Sequence, residues 1–251
     1  MVAGDDDSRG QPSRHYGGKH FNRDEISLQL TELARTLHEE RDSDEVLKNV
    51  VLAALELIPG VDEGSISVVF DRKTVASRAP SGELPAIVDG LQTRIGQGPC
   101  LEAAYEERTV RVPDMSTEQR WPVFAAQASE AGVGSMLAFQ LFVDKKNLGA
   151  LNLYSRHANA FTDESEHIGL MVAAHAALAY AEANEVEQLT ESVSTRDRIG
   201  QAKGILMERY KITDQQAFML LAQVSQGTNT KLAAIADVLA STGELPGPKA
   251  N

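Results

Sequence analysis

Positive charge in this chain is gathered near its C-terminal end. Within RDRIGQAKGILMERYKITDQQAFMLLAQVSQGTNTKLAAIADVLA, residues 196–240, Arg196, Arg198, Lys203, Arg209 and Lys231 recur among apolar residues at helical spacing. Guanidinium and ammonium groups so placed can stay solvated while the apolar stripe is buried, and can track phosphates along a groove. At about 100° per residue, Arg198 and Arg209 fall on one edge of the stripe, roughly 16 Å apart along the axis, while Arg196 and Lys203 flank the other. Two readings of these cations stand side by side. They are a phosphate grip, or they are solvated charges on long apolar stems.

No other residues in the chain compose a reacting site by spacing. Cys100, in Gly98, Pro99, Cys100, Leu101, stands near a helix start, where a thiolate is favoured, but as the only cysteine it has no resolving partner. A small buried hydrophobe is the alternative reading. His157, His167 and His175 form no i, i+4 pair, HYGGKH at residues 15–20 offers two histidines without a third ligand, and no phosphate-binding glycine loop or G-x-S-x-G occurs. Scattered carboxylates nominate no acid–base pair. The expectation is a protein without catalytic activity, cofactor or metal.

The elements that must carry the cations have clear punctuation. Ile199, Ala202, Leu206 and Tyr210 make one half-buried helical stripe. Thr213 with Gln216 is a capping box that starts a second helix, with Ala217, Leu220, Leu221 and Val224 buried. Asn229 is read as the N-cap of a third helix with Leu232, Ile235, Ala236 and Leu239 inside, closed by Gly243 and Pro246. Gly204 costs about 1 kcal/mol against alanine in a helix, so something comes close there, another helix or a ligand backbone. Ser225, Thr228, Asn229 and Lys231 cluster at the turn into the third helix, where helix N-terminal amides beside a lysine also suit phosphate.

The net charge of −12 over 251 residues first argues against nucleic acid. The acidity lies elsewhere, however: from residue 196 onward seven Lys and Arg stand against five Asp and Glu. An acidic remainder discourages non-specific adhesion to polyanions. With 42% apolar and 24% charged residues the balance is globular. Two domains fit the length. No apolar run is long enough to span a bilayer and no signal-peptide core is present, which predicts a cytoplasmic protein.

Upstream, residues 1–24 are polar and without apolar period, predicting a disordered tail. Leu28, Leu30, Leu33 and Leu37 open a helix, and Asp42 or Ser43 caps a second that ends at Pro59 and Gly60. SISVVF and TVAS predict a hairpin, residues 80–97 a loop holding at most a short helix, 101–107 a helix and 109–112 a short strand. A helix from Pro122 and a second hairpin, 135–143 with 148–154, follow. The fold class is α+β, an antiparallel sheet flanked by helices. Residues 163–194 predict a connecting helix whose Val172, His175, Ala179, Glu182, Val186, Leu189 and Val193 form an imperfect heptad seam for a second copy.

The run IGQAKGILMERY, then DQQAFMLL and SQGTNTKLAAIA, resembles the ANTAR domain, a three-helix RNA-binding module of bacterial transcription antiterminators. The resemblance covers about 50 residues and includes Ala202, Lys203, Gly204, Ala217, Phe218, Ser225, Asn229, Lys231, Leu232 and Ala236. It implies paired RNA stem-loops as partner, bound by a dimer so that a terminator cannot form, with no DNA and no membrane involved. Arg196, Arg198, Lys203, Arg209 and Lys231 would meet phosphates, and Gln201, Gly204, Ser225, Thr228 and Asn229 would complete the contact surface. Ala222 and Ala233 depart from the basic residues expected there, which favours an alternative in which the helices engage a protein partner. GQGPCLEAAYEERTVRVPDM, MLAFQLFVDKKNLGALNLYSR and FTDESEHIGLMVAAHAALA resemble a GAF domain over roughly residues 26–180. That implies a sensor of unknown small ligand. The expected division is therefore 26–162 sensor, 163–194 connecting helix, 195–243 RNA-binding module and 244–251 tail. A reductase exists among GAF relatives, but it works through several cysteines.

Overall fold

The computed structural model describes residues 23–71, 74–105, 108–144 and 146–246. The first helices are α1 (Arg23–Glu39) and α2 (Ser43–Leu57), followed by strands β1 (Glu63–Asp71) and β2 (Thr74–Arg78). Then come α3 (Glu83–Ile95), α4 (Pro99–Tyr105), β3 (Thr109–Val112), α5 (Pro122–Glu130), β4 (Ser135–Val143) and β5 (Lys146–Ser155). The chain closes with α6 (Asp163–Tyr210), α7 (Asp214–Thr228) and α8 (Leu232–Thr242). Of the expected tail, residues 1–22 and the HYGGKH run lie outside the described residues, while Arg23 and Asp24 open α1. The described residues fall into two compact units, one of 23–40 with 44–181, the other of 41–43 with 182–246.

In the first unit the five strands run antiparallel in the order β2-β1-β5-β4-β3. Alternation explains both faces of the sheet. Met136, Ala138, Ala150 and Tyr154 point into a core shared with Leu84, Val88 and Leu91 of α3, Cys100 and Leu101 of α4, and Phe124 of α5. Their sequence neighbours Leu137, Phe139, Leu151 and Leu153 are equally buried, on the other face. There the approach of α6 is close enough that a Cβ on Gly169 would come 2.2 Å from Phe139 Cζ. Burial on both faces accounts for the near-continuous apolar runs of β4 and β5.

Residues 83–95 correct the expected loop. They form a helix of thirteen residues whose Leu84, Val88 and Leu91 are buried. Pro85 falls in the first turn, where a missing N–H costs nothing, and Gly96 at φ 70° supplies the left-handed cap. The dense Pro and Gly that suggested a loop therefore mark the two ends of a helix.

The second unit is a three-helix bundle around Ala202, Leu206, Ala217, Leu221, Ile235, Ala236 and Leu239. Ile199, Leu220, Val224 and Leu232 pack partly buried against it, and Leu245 extends the packing beyond α8. Tyr210 departs from its predicted stripe and is 53% exposed. The connecting helix and the first helix of the bundle are one element, α6, of 48 residues. Val172, expected in the seam, is fully buried and so is unavailable to a second copy. Over residues 163–194 the exposed large apolar residues of α6 are instead Leu170, Leu178, Val186, Leu189 and Val193.

Candidate RNA interface and sensor interior

The cap of α7 sets the surroundings of Lys203. The Thr213 hydroxyl accepts from Gln216 N–H at 3.3 Å and the Gln216 carboxamide accepts from Thr213 N–H at 2.9 Å, the predicted capping box. This fixes Asp214 at the start of α7, 2.6 Å from Lys203 Nζ. Arg198 Nε stands 3.4 Å from Asp237 of α8. Two of the predicted phosphate contacts thus face carboxylates of the same bundle. Arg196, Arg209 and Lys231 take part in no ion pair among the described residues, and Lys231 is exposed.

Gln201, Gly204, Ile205, Glu208 and Arg209 of α6 line one open groove with Ala240 of α8, and Gln201 leads into a second hollow where Asp197 and Arg198 stand beside Leu189 and Val193. Four of the predicted contact residues are thereby brought together. A Cβ at Gly204, or one turn earlier at Gly200, would meet nothing within 4 Å. No packing among the described residues requires either glycine, so no helix of this chain takes up the room at Gly204. Lys203 does not join this groove, since its ammonium is turned to the start of α7.

The turn between α7 and α8 holds the remaining predicted residues and brings one correction. Asn229 is the C-cap of α7 in the left-handed region, φ 49° and ψ 40°, and the N-cap position of α8 belongs to Lys231, without a side-chain cap bond. Asparagine suits either role, because its short polar side chain lowers the cost of a left-handed backbone. The Ser225 hydroxyl donates to Thr230 O at 2.6 Å and that of Thr228 to Val224 O at 2.8 Å. Both hydroxyls hold the turn and keep lone pairs for an incoming donor. The Asn229 side chain is exposed.

Inside the first unit lies a polar cluster that sequence reading did not find. Asp89 of α3 is 1% exposed. It accepts from Ser65 Oγ at 3.1 Å, Tyr154 OH at 3.2 Å, and the carboxamides of Gln92 and Asn152, each at 3.5 Å. Asn152 also donates to Ser67 Oγ at 2.8 Å, and its Oδ1 is buried without a partner. Burial pushes the Asp89 carboxyl above the usual carboxylate range against the pull of the serine and tyrosine hydroxyls around it. Gln92 reaches the other way and accepts from Cys100 N–H at 2.8 Å. This is possible because Gly98, at φ 144°, has no Cβ to strike that carboxamide.

Cys100 is fully buried, and desolvation with the nearby Asp89 charge pushes its thiol up to about 12. A thiol that stays protonated is a poor nucleophile, so the buried-hydrophobe reading holds. The native protein is expected to react with a disulfide reagent at pH 8 only at its unfolding rate, giving one thiol per chain in denaturant. Rapid labelling of the folded chain would contradict this burial.

An antiparallel sheet between helical layers is followed along the chain by a three-helix bundle with an open groove of mixed charge. The chain belongs to the GAF domain family, which matches residues 40–181, and residues 187–239 match the ANTAR domain. A GAF domain followed by an ANTAR domain is the architecture of a sensor-linked, RNA-binding antitermination regulator. Among solved structures, free methionine-R-sulfoxide reductase of Neisseria meningitidis in complex with its substrate is similar over 66% of this chain and 96% of its own. Its identity is 18% and its TM-score 0.52. The GAF domain of an Acinetobacter phosphoenolpyruvate-protein phosphotransferase is similar at 17% identity and TM-score 0.53, over 66% and 98% of the two chains. At such identities the likeness shows the fold. No curated protein matches this sequence. Among the described residues no helix is long and apolar enough to cross a membrane.

Proposed function

We propose that this protein binds paired stem-loops in nascent RNA through the groove of its C-terminal bundle, and so prevents a terminator from forming, under control of a ligand sensed by the GAF domain. The observation that carries the reading is the groove itself. Arg198, Gln201 and Arg209, with the carboxylates of Asp197 and Glu208 among them, stand beside a strip left free of side chains by Gly200 and Gly204. An RNA backbone can approach such a strip closely while the flanking cations meet its phosphates. Arg196 and Lys231 add charge, and Lys203 adds more once released from Asp214. Ser225, Thr228 and Asn229 offer polar contacts to sugars or loop bases. The active form is a homodimer through residues 163–194, with the exposed Val186, Leu189 and Val193, spaced three and four apart, as its apolar contact. The division into a 26–162 sensor, 163–194 connector and 195–243 RNA-binding module, the cytoplasmic location and the absence of DNA as partner belong to the same proposal.

Arg209→Ala is expected to weaken binding to paired stem-loops about tenfold, roughly 1.4 kcal/mol, and to lower the salt slope by about 0.7 to 0.9. Gel-shift titrations at several salt concentrations, with scrambled RNA as control, read both quantities. An unchanged affinity and slope remove Arg209 from the site. The alternative, a protein partner on the same helices, draws on the exposure of Tyr210, Phe218 and Met219. It predicts equal, weak binding to paired and scrambled RNA.

A further inference from the structure

We infer that Asp214 and Asp237 compete with RNA phosphates for Lys203 and Arg198, and so set the affinity and salt dependence of binding; the inference rests on the RNA-binding reading above. Each carboxylate occupies the place that a phosphate oxygen would take. Asp214 Oδ1 lies 2.6 Å from Lys203 Nζ, and Asp237 Oδ1 lies 3.4 Å from Arg198 Nε.

The fold leans little on these pairs. Arg198 and Asp237 are 48% and 57% exposed, and Asp214 is 66% exposed opposite the half-buried Lys203, so water screens the carboxylate of each pair. The bundle is held by its apolar core, and the start of α7 is secured independently by Thr213 and Gln216. At about 100° per residue the two cations lie roughly 140° apart around α6. One faces α7 and the other α8, so the carboxylates shield two separate edges.

Exchange at such a site has a defined electrostatic signature. When phosphate takes Lys203, the RNA releases a counterion, but the freed Asp214 carboxylate gathers one from solution, and it stays close enough to repel the incoming phosphate. The net release at that contact is therefore small. Without the carboxylate the full release is recovered, about 0.7 to 0.9 in the slope of log affinity against log salt per phosphate. The gain is greatest at low salt, where screening is weak.

The experiment uses the full chain and a tandem stem-loop RNA recovered by crosslinking to it, titrated between 50 and 300 mM salt (roughly a 2.4-fold range of Debye length). Asp214→Asn and Asp237→Asn are each expected to bind about two- to fivefold tighter at the low end, with a slope steeper by about 0.7. The gain from Asp214→Asn should vanish in a Lys203→Ala background, and that from Asp237→Asn in an Arg198→Ala background. Unchanged affinity and slope in both single variants overturn the inference while wild-type binding keeps the RNA reading. Equal gains with and without the partner cation overturn it too, because net charge alone then explains them. A wild-type chain that does not distinguish stem-loops from scrambled RNA overturns both readings. Asp237, in the middle of α8, keeps the test decisive if Asp214→Asn disturbs α7.

Discussion

Leu206→Ala is expected to unfold the C-terminal bundle and abolish RNA binding. Leu206 is fully buried, and truncating such a leucine costs roughly 2–5 kcal/mol through lost transfer energy and the cavity left behind. Three of the seven buried residues in this core are alanines, so Leu206, Leu221, Ile235 and Leu239 are its only large fully buried side chains, with partly buried residues such as Leu220 and Leu232 around them. A bundle this small has little stability in reserve. Far-ultraviolet circular dichroism during thermal melting reads the loss of helix, and a gel shift reads the loss of binding. Leu189→Ala, at an exposed position on the same long helix, is the comparison and should leave the bundle folded. Normal melting and binding in the Leu206 variant would contradict its burial.

The second large effect concerns the interior of the GAF domain and its dependence on pH. The Asp89 carboxyl is held above its ordinary value by desolvation. A group whose folded pKa is raised binds its proton more tightly in the native state. Its stabilising contribution is complete below the unfolded value near 3.8 and is lost as pH rises through the folded value. The slope across that window approaches about 1.4 kcal/mol per pH unit for a single group. Asp89→Asn keeps an acceptor for Tyr154 and replaces the titrating group by a neutral one, so the sensor transition should lose this part of its pH dependence and gain stability at neutral pH. Urea unfolding of both proteins from pH 4 to 8 measures it. Parallel curves for the two would show that Asp89 is not the titrating group.

Much of this architecture was legible because its signals are local. Both hairpins followed from apolar runs broken by charged turns, and the capping box at Thr213 and Gln216 was readable because both partners lie within one turn. The misreadings have physical causes as well. Pro85 and Gly96 gave the same letters at the ends of α3 that a loop would have. Asn229 is chemically fit for the end of one helix and the start of the next, and the backbone chose the former. Val172 fell into the heptad because its spacing allows two faces, and burial against its own domain decided between them. The Asp89 cluster was beyond reach, since its members come from β1, α3 and β5 and meet only when the sheet has formed. The same holds for the carboxylates opposite Arg198 and Lys203, which α8 and α7 deliver after folding.

The unfilled space at Gly200 and Gly204 has an energetic consequence of its own. Each glycine leaves this part of α6 about 1 kcal/mol less helical than alanine would, with no contact in return among the described residues. Ala202 and Leu206 hold the inner face of this stretch in the core, so the cost falls on its bare outer face. A ligand settling there covers open main chain and stiffens it, so part of its binding energy goes into ordering the helix and the entropy of association registers occupancy.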